Sequence, residues 1–213
     1  FTHSWIARSD VGHRIRNRPK LSYLAIGGVI SAAWFSAAKQ THAEGIVLVL
    51  SGLALVLQMS GWQCLKTHRY PALFILNLAF AWTPAALLLT GFANMFPDQL
   101  PLAAALHSAT MGAMGTMMAA VMMRAAMARD GGMLLLSRTM ACAFALICVA
   151  TTVRILAGRI GGAYFDLIVT AAACWMLAWG LFLIAYIPAL SGPVPRPVLS
   201  ADGARLPLAV PER

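Results

Sequence analysis

Of the five histidines in the chain, His3, His13, His42, His68 and His107, only His107 stands at the head of a long apolar run. Ionisable side chains at bilayer depth are rare and tend to be functional. At 100° per residue, Met111, Met114, Met118 and Met122 fall within about 60° of the His107 direction. One helical stripe then carries an imidazole and several thioethers. Both groups ligate haem iron, and thioether favours Cu(I). His107, Met111 and Met114 are therefore the candidate metal ligands. Methionines that fill irregular packing gaps give the same stripe, and an imidazole bonded to water or a carbonyl explains His107 equally. Two arginines join the set. Arg124 lies near the far end of the same run, and Arg154 closes a later one. A guanidinium at such a place pairs with an anion, a haem propionate for example, or snorkels to head groups. His107, Arg124 and Arg154 are the candidate cofactor-binding residues.

Other residues shape the surroundings. Ser108, Gly112, Thr116 and Ala120 form a ridge of small side chains at i+4 spacing, which lets a neighbouring helix approach closely. Asn77 and Pro84 are seven apart and share a face. Pro84 removes a backbone hydrogen bond and kinks its helix, and Asn77 can bond to a neighbouring helix. The sequence contains no nucleophile–base constellation, no paired carboxylates and no phosphate loop, so whether the chain is an enzyme stays open. Of seven acidic residues, only Asp166 approaches an apolar interior. Cys64, Cys142, Cys148 and Cys174 form no CxxC pair, which argues against a disulfide framework or a zinc site.

The elements that position these residues are membrane helices. The chain has 213 residues, of which 60 % are hydrophobic and 11 % charged, against about 25 % charged in soluble domains. One water-soluble core of this size cannot hide so much apolar surface. Six stretches approach the roughly 20 apolar residues that span a bilayer: Leu21–Ala38, Ala43–Trp62, Tyr70–Ala93, Leu102–Met127, Leu134–Ala157 and Ala163–Leu190. The expected fold is an all-α polytopic transmembrane bundle of about six spanning helices. Six spans place all Lys and Arg but Lys39, Arg154 and Arg159 on one side. The positive-inside rule makes that side cytoplasmic and puts both termini there. The net charge of +9 is thus a topology signal, and nucleic acid is not an expected partner. Residues 1–20 read as a basic cytoplasmic segment, 21–190 as the bundle, and the Pro-rich residues 191–213 as a cytoplasmic tail. Gly131-Gly132 marks a tight turn. Trp5, Trp62, Tyr70, Tyr164 and Tyr186 fit interfacial anchors. The chain opens on Phe1 without a signal-peptide pattern, as a fragment with a segment missing upstream would.

The run HSATMGAMGTMMAAVMMRA, residues 107–125, resembles the signature of the NnrS family, close to H-A-L-T-x-G-A-M-G-T-M-x-x-A-V-M-x-R-A. The run PALFILNLAFAWTPAALLL, residues 71–89, is similar to the family's P-L-L-x-x-L-H-L-x-Y-x-W-x-P-x-x-L-L-L. Arg154-Ile-Leu-Ala, Tyr186-Ile-Pro-Ala-Leu and the opening Phe1-Thr2 also fit. The resemblance covers essentially the whole chain and matches the carboxy-terminal half of proteins about twice as long. It implies a bacterial inner-membrane protein that contains haem and copper and is linked to nitric oxide metabolism, denitrification and protection from nitrosative stress. Its implied partners are the lipid bilayer, haem, nitric oxide, and the absent amino-terminal half or a partner subunit. Two departures matter. Asn77 stands where the family usually has histidine, and Arg129-Asp130-Gly131 stands where it tends to read H-T-G. Of three expected histidines in this half, only His107 remains. His107, Arg124 and Arg154 carry over residue by residue. The residues also leave room for a small-solute or haem-related transporter or channel, or for a non-catalytic subunit of a membrane complex.

Overall fold

A computed structural model describes residues 18–62, 64–127, 129–130 and 133–190. The basic segment up to residue 17 (with Trp5), the Gly131-Gly132 turn and the Pro-rich tail lie outside the described residues. The rest is an all-helical bundle. Its long helices are α1 (Pro19–Ala37), α2 (Thr41–Ser60) and α3 (Pro71–Met95). Then come α4 (Leu102–His107), a π-helical stretch (Ser108–Gly115) and α5 (Thr116–Ala126), which run on from one another as a single rod. The last two are α6 (Arg138–Ala157) and α7 (Tyr164–Leu190).

Local chemistry sets the boundaries. Pro19 and Pro71 stand in the first turns of α1 and α3, where the missing N–H is no loss. Lys39 adopts φ 57° just past α1. Its N–H bonds to Ser36 O at 3.0 Å and that of Gln40 to Phe35 O at 2.9 Å. This is a Schellman ending with lysine in the left-handed place usually held by glycine. The Ser137 hydroxyl accepts from the Met140 N–H at 3.2 Å and caps α6. That cap starts α6 four residues later than the apolar run begins. Leu134 belongs instead to a short antiparallel pairing, β1 (Arg129–Asp130) with β2 (Met133–Leu134).

Consecutive helices pack on each other, α1 on α2, α2 on α3 and α6 on α7, while the rod from Leu102 to Ala126 lies against α3 and touches α6. Small residues set the closest approaches. A Cβ on Gly45 would lie 2.8 Å from the Gly91 carbonyl oxygen, and one on Gly52 3.1 Å from that of Pro84. The main core gathers Leu73, Met123, Met127, Ile147 and Phe182 among others. Large apolar side chains such as Trp34, Phe165, Met176 and Ile184 face outward, which suits lipid as the solvent.

Among the described residues, four helices are long and apolar enough to cross a membrane: Thr41–Ser60, Pro71–Met95, Arg138–Ala157 and Tyr164–Ile187. The 19-residue α1 is not among these. The rod is divided by its π-helical stretch into pieces that are each too short when taken alone, although end to end it rises about 37 Å. Tyr70 departs from the expected interfacial anchor. It is buried, and its hydroxyl accepts the Leu134 N–H at 3.2 Å. It therefore ties the β1–β2 connection to the bundle.

Candidate functional site around His107

His107 is the last residue of α4 and the first flank of the π-helical stretch. π-Helical turns inside α-helices are found frequently at functional sites. Hydroxyls occupy carbonyls along this stretch. Ser108 Oγ donates to Ala105 O at 2.5 Å and Thr110 Oγ1 to Leu106 O at 3.2 Å. Thr116 Oγ1 donates to Gly112 O and lies 3.5 Å from Ala79 O of α3. Aromatic rings fill the glycine positions. A Cβ on Gly112 would lie 2.6 Å from Trp82 Cε3, and one on Gly115 2.9 Å from Trp175 Cη2.

The small-residue ridge is where the sequence placed it: Ser108, Gly112, Thr116 and Ala120 are all buried. The methionine stripe is altered. The 100° spacing assumes an unbroken α-helix, whereas π bonds run i→i+5 and widen each turn. Met114 is 62 % and Met118 54 % exposed, on the outer face of the rod. Met111 and Met122 are half-buried, and Met122 packs against the main core.

His107 and Arg154 are brought together. Arg154 lies in the last turn of α6. On one side of the pair, Gly158 of α6 approaches Ala104 of α4, where an added Cβ would be 2.6 Å from Ala104 Cβ. On the other, Thr151 Cγ2 would be 3.3 Å from a Cβ on Gly112. His107 and Arg154 are half-buried between these two levels. Arg124 does not join them. It lies 17 positions further along the rod (124 minus 107), about 25 Å at 1.5 Å per residue.

Asn77 and Pro84 are both buried on one face of α3. Asn77 does not bond across to a long helix. Its Nδ2 donates at 3.1 Å to Thr67 Oγ1, which donates at 2.6 Å to Cys64 O. Both partners lie in the 3₁₀ turn Cys64–Arg69. Trp82, Trp175 and Gly158 were not singled out in the sequence. Each acts through a glycine opposite a bulky or close partner on another helix, a pairing that periodicity along one segment does not reveal.

A haem tests this donor set. The His107 imidazole could ligate the iron, and Arg154 could offer a planar donor pair to a propionate. Inside the chain, the space beside Gly112 and Gly115 is taken by the two indoles, so a macrocycle ligated by His107 must extend away from them. For copper the described residues offer less. No group of three His, Cys, Asp or Glu able to hold a metal ion occurs among them, and the exposed Met114 is turned away from the buried ridge. A family model described as NnrS protein matches residues 1–193. No curated protein and no solved structure matches the chain.

Proposed function

Because the chain belongs to the NnrS family, we propose that it is a haem- and copper-binding protein of the bacterial inner membrane that serves nitric oxide metabolism and protection from nitrosative stress. It crosses the bilayer six times with both termini in the cytoplasm. This topology puts His107 and Arg154 at the outer side, where nitric oxide arrives through the lipid or the periplasm. The observation that carries the reading is that the packing of α6 on α4, at Gly158 with Ala104 and at Thr151 with Gly112, sets His107 and Arg154 at one level of the bundle. A bound haem would supply an iron able to bind nitric oxide. His107 would ligate that iron, and Arg154 would orient and neutralise a propionate. Copper, where bound, would take the thioether of Met111, or the His107 imidazole in the absence of haem, as a ligand. The remaining ligands would have to come from another segment or subunit.

The test is an absorption spectrum with iron and copper analysis, on the protein purified from cells supplied with both. A Soret band with stoichiometric iron is expected. A colourless, metal-free protein that moves solute across vesicle membranes contradicts the reading. That outcome favours transport, for which Pro84 in α3 beside the π-helical stretch provides the broken helices.

A further inference from the structure

The π-helical stretch holds more residues per turn than an α-helix, because its bonds run i→i+5 instead of i→i+4. Over its eight residues the surplus amounts to roughly one residue. Such helices occur mostly as single turns, so a longer one needs support from its neighbours. Trp82 of α3 provides it. Its ring seats on Gly112 so closely that a Cβ there would be 2.6 Å from Cε3 and 2.9 Å from Cδ2. Its indole also lies beside the Cys148 side chain on α6. One side chain therefore links α3, the wide turn and the helix that carries Arg154. Contraction of the stretch to α-helix would rotate α4 against α5 by about 100°. His107, the residue next to the turn, would swing with it.

We propose that Trp82 is a positioning residue: its ring, seated on Gly112, keeps the turn wide and so holds His107 facing Arg154. This does not depend on which cofactor His107 takes, so the two readings can fail separately.

The test uses the full chain in lipid nanodiscs, in a background with Cys64, Cys142 and Cys174 replaced by alanine. Cys148→Ser in the same background removes the fourth thiol and keeps a small polar side chain beside the indole. Dibromobimane, which fluoresces only after bridging two nearby thiols, reports on the pair His107→Cys and Arg154→Cys. Bridging is expected in this background. Trp82→Ala should lower its yield at least fivefold with helicity and elution unchanged. Deleting Ala113 from the Trp82→Ala protein removes the surplus residue, restores the α-helical register, and should return the yield to at least half. Should Trp82→Ala fail to fold, Gly112→Ala displaces the ring and carries the same two expectations. The proposal is overturned if the background pair does not bridge. It is equally overturned if a folded variant bridges at the background yield, or if the deletion fails to restore a lost signal.

Discussion

Replacing Gly91 by alanine puts the packing of α2 on α3 to a sharp test. The added Cβ would stand 2.6 Å from the Gly45 carbonyl oxygen, 2.8 Å from Val49 Cγ2 and 3.0 Å from Val49 N. Two of these atoms are backbone and cannot swing aside. Ordinary contact distance returns only if the helices part by about 0.6–0.8 Å, a gap that forfeits a quarter to a half of each contact along the seam. Overpacking of this kind costs about 1–3 kcal/mol. The better helix propensity of alanine offsets up to about 1 kcal/mol. A net loss of about 1–2 kcal/mol remains. Gly27 of α1 is the control, because nothing lies within 4 Å of its Cβ position and Gly27→Ala has only the propensity to gain. The two variants should differ by about 2 kcal/mol, close to thirtyfold in the unfolding constant. Reversible unfolding in mixed micelles titrated with dodecyl sulfate measures both. A Gly91→Ala protein as stable as Gly27→Ala would refute the close approach of the two helices.

Other perturbations follow from single contacts. Asn77→Leu should lose about 0.6–1.7 kcal/mol, and a double-mutant cycle with Thr67→Val should give a coupling of similar size in the same unfolding assay. Tyr70→Phe removes the acceptor of the Leu134 N–H, so hydrogen exchange should quicken at Leu134 while α2 is unaffected. Burial pushes the Cys64 thiol above the ordinary thiol range, against a smaller opposing effect of a backbone hydrogen bond. Less thiolate is then present at any given pH, so alkylation of Cys64 by iodoacetamide should rise only at a pH above that of a free cysteine.

Much of the bundle was legible because bilayer helices announce themselves by length and apolarity. Each helix lies within a few residues of its apolar run, and the largest shift, at α6, comes from the Ser137 cap and the Leu134 pairing. The ridge Ser108–Gly112–Thr116–Ala120 was legible because i+4 spacing survives a modest widening of the turn. The direction of the methionines was not. Composition does not say which side of a helix meets lipid, and Met114 and Met118 lie on the exposed side. The nearness of His107 to Arg154 depends on how α4 meets α6 at Ala104 and Gly158, a contact between segments about fifty positions apart. Asn77 was expected to bond to a neighbouring helix, but its partner Thr67 sits in a connector whose 3₁₀ form no periodicity predicts.

Whether His107 holds the iron is answered most directly by comparing the absorption spectra of the full-length protein and its His107→Ala variant, matched for amount and folded state. Loss of the Soret band and of bound iron in the variant is the predicted result. An unchanged band with full iron would contradict it and remove His107 from the site.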